Sequence, residues 1–422
     1  MTTGTAGRPG MPGWMDADTG GRATTTTVRP SAPQPPNVPP AAIVEPDDEQ
    51  LLPPKAVPLA GELSSDIALL RVSGVPAWGD GFTRFRLTFH FRGATHESRD
   101  EDVDQQRVPG LGLADIIERA TWVDDYRQVR GWWKEMSQLL RWMRELRASH
   151  SVRLVVWDNT PFQIPWELMY LQDADNEARS VWLSSVVEIA RWSSLLQGSQ
   201  AAYDAEELAI RGGLLLLEML DPKTRNEGVA RMAERLGYEA LRDSGDWLSE
   251  LARKDPRLAL MILHCHGENA YDANRFTIAG LPMNDLDSPL MPGLDGSRPV
   301  VVLNACNTAK VVPVGANVSR ATRSFVEVFL HKGASAVIAT VGEVSLDQTH
   351  EFLRWLLDGT AVDCRLSGLL LAWRQYHVQR VIGRSPSDPR VPGRIEDFFH
   401  AFLYVYFGHP DSLLRVDRGG AD

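Results

Sequence analysis

Leu260-Met261-Ile262-Leu263-His264-Cys265-His266-Gly267-Glu268 is an apolar run that stops in chemistry. Pro299-Val300-Val301-Val302-Leu303-Asn304-Ala305-Cys306 does the same. A short, uninterrupted apolar run reads as a strand buried on both faces, as in a parallel sheet. In an open α/β sheet, ligands bind just beyond the carboxyl ends of the strands. Two neighbouring strands ending in His266 and Cys306 place an imidazole and a thiol at one sheet edge, the minimum apparatus for thiol nucleophilic catalysis.

Working outward, strand patterns alternate with helix patterns on both sides of this pair. Downstream, Arg320 to His331 reads as a helix with Gly333 just past its end, where a left-handed residue is favoured. Ser335 to Val341 is a further buried strand, Leu346 to Leu357 and Leu366 to Val378 are helices, and Ala401 to Phe407 is expected to close the sheet. Upstream, Val152 to Trp157, Val186 to Ala190 and Gly212 to Leu217 read as strands. Asn226 to Leu236 is an amphipathic helix, and a second helix near Asp246 to Leu251 has Asp246 as its candidate N-cap. This alternation predicts an α/β fold: a mostly parallel sheet with helices on both faces, in three layers.

Further upstream the pattern changes. Trp132, Met136, Leu139, Leu140, Met143 and Leu146 share one helical face and read as core. Phe85, Leu87, Phe89 and Phe91 alternate with Arg84, Arg86, Thr88 and His90, the period of a half-buried antiparallel strand. With the strand at Ile67 to Val72, they make a small β element within residues 59–108. Residues 1–58, rich in Pro, Gly and Thr, bury too little apolar surface to offset ordering entropy and are expected to be a disordered tail. The remaining 109–418 is the main α/β domain.

The net charge of -11 and pI near 5.5 argue against a nucleic-acid-binding face. No run reaches the roughly 18 apolar residues of a membrane helix, and no basic-then-apolar secretory signal opens the chain. Three cysteines, Cys265, Cys306 and Cys364, do not suggest a disulfide framework and are expected in a reducing cytoplasm.

Cys306 ends a strand and is followed by Asn307-Thr308, which can turn the chain. A thiol there faces the sheet edge, where it can be reached. His266 is followed by Gly267, which lets the backbone bend and leaves its N–H open. The N–H groups of Gly267 and Cys306 are the expected oxyanion hole. His264 shares a strand face with His266, so it either supports the site or packs in the core. A His-Cys-His metal site lacks further ligands at useful spacing, so neither metal nor cofactor is expected. Neither a P-loop nor a G-x-S-x-G element occurs.

The pair LHCHGE (263–268) and VVVLNACNT (300–308) resembles the CHAT domain, a branch of the caspase-like cysteine peptidases that also includes separases. Ile164-Pro-Trp-Glu-Leu168 resembles the family's early PWEL element. Gly333 to Ala339 is similar to the strand after the catalytic cysteine, and Val344, Asp347 and Phe352 to the helix start after it. Tyr406-Phe-Gly-His-Pro-Asp411 resembles the terminal YGDP. The likeness covers roughly residues 110 to 418. It implies a caspase-like sandwich with His266 as general base and Cys306 as nucleophile, cleaving a protein substrate under the control of an activating sensor, in a bacterial conflict or programmed-death system. The rival is a catalytically silent scaffold that binds a partner. Relatives with acidic specificity pockets carry Asp or Glu two residues before the cysteine; here that position is Asn304, and Asp158, in the loop after the Val152 to Trp157 strand, is another candidate pocket residue.

Overall fold

A computed structural model describes residues 64–76, 82–98, 129–131, 133, 136–148, 152–158, 164–173, 180–192, 208–221, 227–253, 257–268, 276–287, 291–310, 324–360, 362–381 and 391–419. The expected tail (1–58) and Trp132 lie outside the described residues, as do residues 99–104 of the acidic run after Ser98.

Eleven strands build the main sheet: β1 (Ile67–Pro76), β2 (Phe82–Phe91), β3 (Ala94–Glu97), β4 (Arg153–Asp158), β5 (Ile189–Trp192), β6 (Ala209–Met219), β7 (Leu258–Cys265), β8 (Val300–Asn304), β9 (Ala336–Thr340), β10 (Tyr404–Gly408) and β11 (Leu413–Val416). Their spatial order is β11-β6-β7-β8-β9-β10-β5-β4-β1-β2-β3. The short segments Cys364–Arg365 and Ala240–Leu241 add to β11 and β6. Pairs β11–β6, β6–β7, β7–β8 and β8–β9 are parallel, and β10 is antiparallel to β9. Leu260, Met261, Ile262 and Leu263 are all 0% exposed. Successive side chains in a strand point to opposite faces, so both faces of β7 are covered.

The seven main helices are α1 (Ser137–Ala148), α2 (Glu227–Arg235), α3 (Ser244–Leu251), α4 (Phe325–His331), α5 (Leu346–Gly359), α6 (Leu366–Val381) and α7 (Val391–Leu403). The chain steps from β7 to β8 to β9 in one direction, and right-handed crossovers put their connections on one face. There Trp247 of α3 meets Phe329 of α4 at 6.5 Å between ring centroids. On the face that carries Tyr404, Phe352 of α5 stacks on the Tyr404 ring at 3.6 Å and meets Trp373 of α6 at 5.7 Å. The α/β architecture read from the sequence, mostly parallel and covered by helices, is the one observed.

Three details differ from the sequence reading. The β element does not stand apart: β1 pairs in parallel with β4, Ile67 opposite Arg153 through Val72 opposite Asp158, and so extends the main sheet. Its apolar face supplies core, with Phe85, Leu87 and Phe89 buried. The strand near Ala401 does not close the sheet either. Helix α7 runs to Leu403, and β10 then lies inside the sheet, with β5, β4 and β1 beyond it. Finally, Asp243 caps α3, accepting from Gly245 N at 2.7 Å and Asp246 N at 3.1 Å; Asp246 is inside the helix.

Side-chain contacts decide which edge β4 and β5 end on. β5 meets β10 at a single bridge, Phe407 with Arg191; its local sense is parallel, but one residue pair does not fix how the two strands run. Side chains set it. Ser367 Oγ donates to the Glu188 carboxylate (2.7 Å) or to the Pro410 carbonyl (3.2 Å), so Glu188 and Pro410 are neighbours. Arg153 reaches the Pro410 carbonyl and pairs with Asp411. The starts of β4 and β5 therefore lie beside the end of β10, and because β10 opposes β9, β4, β5 and β9 end at the same edge.

Candidate active site

Strands β7 and β8 are in-register neighbours from Leu260 opposite Val300 to His264 opposite Asn304. His264 and Asn304 share a face and bond: Asn304 Nδ2 is 3.0 Å from His264 Nδ1. Two residues further on, one full strand period, come His266 and Cys306. His266 is exposed and Cys306 is half-buried.

Beyond His266 the chain enters a small three-stranded sheet, Gly267–Glu268 with Thr277–Ile278 and Leu281–Pro282. Ala279 N–H donates to His266 O at 3.4 Å, and Gly267 stands opposite Ile278. In an antiparallel ladder a hydrogen-bonded pair is followed by one that is not, so the Gly267 N–H points away from the hairpin. The Gly267 backbone also lies against that of Cys306. A Cβ on Gly267 would sit 2.5 Å from the Cys306 carbonyl oxygen and 3.2 Å from its nitrogen. The residue after His266 and the residue Cys306 itself are thus in van der Waals contact.

The turn that carries Cys306 is latched from β9. Asn307 takes a left-handed conformation (φ 59°), which asparagine tolerates better than most residues. Its N–H donates to Gly342 O at 2.9 Å, and Ala309 N–H donates to Thr340 O at 2.8 Å. Thr340 N–H donates to Thr308 Oγ1 at 3.0 Å, while the Thr340 hydroxyl donates to the Ala305 carbonyl. These bonds fix the backbone on both sides of the thiol. The Cys306 sulfur lies 3.8 Å from the Val344 carbonyl. Burial, and then the Glu343 carboxylate, push the thiol above its ordinary range, so at rest it keeps its proton.

Below the rim is a polar layer. Asn304 Oδ1 accepts from the Tyr404 hydroxyl at 2.7 Å. His350 of α5 lies 5.0 Å from His264, ring centroid to centroid. Burial pushes the His264 imidazole down to about 4, with His350 adding to the effect, so His264 is neutral at pH 7. Burial also pushes the Cys265 thiol up to about 12 and the Cys364 thiol to about 11, so neither is a ready thiolate. Among the described residues no group of three or more His, Cys, Asp or Glu could hold a metal ion.

The structure seats Gly267, the residue after His266, against Cys306, and it does not bring the two proposed pocket residues to an opening there. Asn304 is 1% exposed, with both amide atoms engaged, so it lines no opening. Asp158 ends β4, four strands from β8, or about 19 Å at the usual strand spacing. Its carboxylate accepts from the Trp166 indole at 2.8 Å. The partners that sequence reasoning missed are Tyr404, His350 and the Thr308–Thr340 latch. Only a Thr at the end of β9 and another just past the end of β8 hinted at the last.

No family model matches the chain, and no curated protein matches it. Among solved structures it is similar to the Arg-specific cysteine proteinase gingipain R, at 12% identity over 72% of this chain and 71% of that one, TM-score 0.41. It is also similar to the separase of the Saccharomyces cerevisiae separase–securin complex, at 10% identity over 82% of this chain and 30% of that one, TM-score 0.44. This chain thus matches under a third of the separase chain's length.

Gly267→Ala tests the backbone contact. The new methyl cannot be accommodated 2.5 Å from a carbonyl oxygen without moving the Cys306 turn. A displacement near 1 Å at a reacting group costs about a hundredfold in rate. The expected result is a loss of that order in any Cys306-dependent reaction, alkylation included, with the circular dichroism spectrum kept. An unchanged alkylation rate contradicts the contact.

Proposed function

We propose that this chain is a cysteine endopeptidase of the caspase-like class, with Cys306 as nucleophile and His266 as general base. The observation that carries the reading is the seating of Gly267, the residue after His266, on the backbone of Cys306. In the reaction His266 takes the Cys306 proton as sulfur attacks a peptide carbonyl carbon. The oxyanion draws on the N–H groups of Gly267 and Cys306. Collapse of the tetrahedral species breaks the C–N bond, and the leaving amine takes the proton back from His266. A water then hydrolyses the thioester and restores the thiol.

The motifs shared with CHAT proteins extend this reading to a protein substrate and an activating sensor in a bacterial conflict or programmed-death system. The raised thiol supports control by a partner, since a buried, protonated nucleophile needs its surroundings changed before it reacts readily. Three free cysteines are in keeping with a cytoplasmic site of action, and no helix among the described residues is long and apolar enough to cross a membrane.

The same raised thiol favours a second reading, a caspase-like interaction module without chemistry. Two measurements separate them. The chain, alone and with its genomic neighbours, is treated with a peptidyl acyloxymethyl ketone at pH 7.5, and neighbour cleavage is followed by mass spectrometry. The peptidase reading expects Cys306 to be labelled and cleavage to vanish in Cys306→Ala and His266→Ala. Cleavage that survives both variants refutes the Cys306–His266 assignment, and no label at Cys306 in any mixture gives the scaffold reading instead.

A further inference from the structure

We propose that Asn304 is a positioning residue for this site, acting through His264, and not a residue that reads substrate. The inference rests on the peptidase reading for its kinetic arm only. Asn304 sits at the end of β8, two residues before Cys306, and its amide touches three other elements. Nδ2 donates to His264 Nδ1 on β7 at 3.0 Å and reaches the Thr349 carbonyl on α5 at 3.5 Å. Oδ1 accepts from the Tyr404 hydroxyl on β10 at 2.7 Å. The Thr349 carbonyl can only accept, so the NH2 group faces the His264 side and the amide orientation is decided.

That orientation has a consequence for the imidazole. With Nδ1 accepting, the neutral ring of His264 carries its proton on Nε2. No hydrogen-bond partner meets Nε2 among the described residues, so Asn304 is the group that chooses the tautomer. The Tyr404 hydroxyl keeps the amide from flipping, and the stacking of Tyr404 on Phe352 keeps the hydroxyl in place. One amide therefore ties the ends of β7 and β8 to the start of β10 and the first turn of α5. The ends of β7 and β8 lead directly into His266 and Cys306.

Two variants test this. Asn304→Asp keeps the shape but cannot donate, so His264 must hold its proton on Nδ1. Tyr404→Phe removes one oxygen and frees the amide to flip; it carries the same test should the aspartate variant not fold. The intact chain, labelled with 15N-histidine, reports the His264 tautomer, with the signal assigned by His264→Gln. Native protein is expected to show a single Nε2–H form, Asn304→Asp an exchanged form, and Tyr404→Phe a mixture. In both variants the Cys306 alkylation rate should change about tenfold or more, the scale of losing one buried hydrogen-bonding group. On a cleaved peptide kcat should fall while KM stays within about twofold, the signature of lost alignment and not lost binding. An unaltered tautomer and alkylation rate in both variants overturns the proposal. So does a changed KM with a new taste for basic side chains in Asn304→Asp, because Asn304 would then line the substrate pocket. A chain that cleaves nothing refutes the peptidase reading, and the tautomer and alkylation rate still decide the role of Asn304.

Discussion

Replacing Glu167 by glutamine is expected to lower the free energy of unfolding by about 3–5 kcal/mol, the range for breaking a buried ion pair on one side. Glu167 lies in the short 3-10 helix Trp166–Leu168 and is 1% exposed. It receives Arg191 bidentately: Nε donates to Oε1 at 2.8 Å, and Nη2 pairs with Oε2. Arg374 of α6 is close enough that the Glu167 charge favours its protonated form and the Arg191 charge opposes it. Burial pushes the Arg374 guanidinium down to about 10, which still leaves it charged at pH 7. Its Nη2 donates to the Tyr404 carbonyl at 2.7 Å, while Nε and Nη1 meet no hydrogen-bond partner among the described residues. Two buried cations thus share one acid. Without that acid they repel each other in a medium that screens poorly. Urea denaturation of both proteins at pH 7 gives the difference from the shift in midpoint. Arg374→Met in the Glu167→Gln background should recover part of the loss, because it removes one of the two stranded charges; additive losses would show that the three residues are not coupled.

Glu167 also marks the limit of what the sequence conveys. A charged residue between Trp166 and Leu168 is conspicuous, but its partners come from residues 191 and 374, and no local pattern points that far. The same holds across the fold. Strands β7 and β8 were readable because each is a continuous apolar run with a sharp polar end. Their adjacency was inferable from alternation with helices. Their register was not, and it is the register that puts Asn304 beside His264 and so removes Asn304 from the substrate pocket. Asp158 was misassigned for a related reason. The end of β4 does lie on the correct edge, yet the later strand β10 is inserted between the two halves of the sheet and carries Asp158 away from Cys306. Parallel pairing of β1 with β4 likewise joins segments some 85 residues apart, and only tertiary packing decides such a pair. The α3 cap shows the smallest scale of error: the sequence reading points to Asp246 as the N-cap, and the extended backbone at Asp243 (φ −128°, ψ 133°) puts it there instead.

Acid should unfold this protein over a narrow range below pH 6.5. Burial pushes His264 of β7, His377 of α6 and His400 of α7 each down to about 4. Their surroundings do not offset this. His264 faces His350, His377 faces Arg380, and His400 has His377 against it, with Asp397 and the Glu396 carboxylate, 3.9 Å from its Nε2, in favour of charge. Neither ring nitrogen of His377 has a hydrogen-bond partner among the described residues. In the unfolded chain each imidazole takes a proton near 6.5. Between about 6.5 and 4 the unfolded state therefore binds more protons than the folded one, and stability rises with pH there. The contribution is fully present above pH 6.5 and is lost as pH falls toward 4. Each histidine adds about 1.4 kcal/mol per pH unit, so the three together give a slope near 4 kcal/mol per unit. Burial also pushes His90 and His350 down, which adds to the slope, while Glu218 and Glu351, whose carboxyls burial pushes up, act in the opposite sense and reduce it. Against a stability of roughly 5–15 kcal/mol for an ordinary domain, this consumes most of the margin within two or three pH units. Urea midpoints measured at pH 7, 6 and 5 should fall steeply, and His377→Gln should flatten the dependence by about a third by removing one of the three protons. A midpoint that stays level from pH 7 to 5 would mean that these imidazoles are not held neutral in the core.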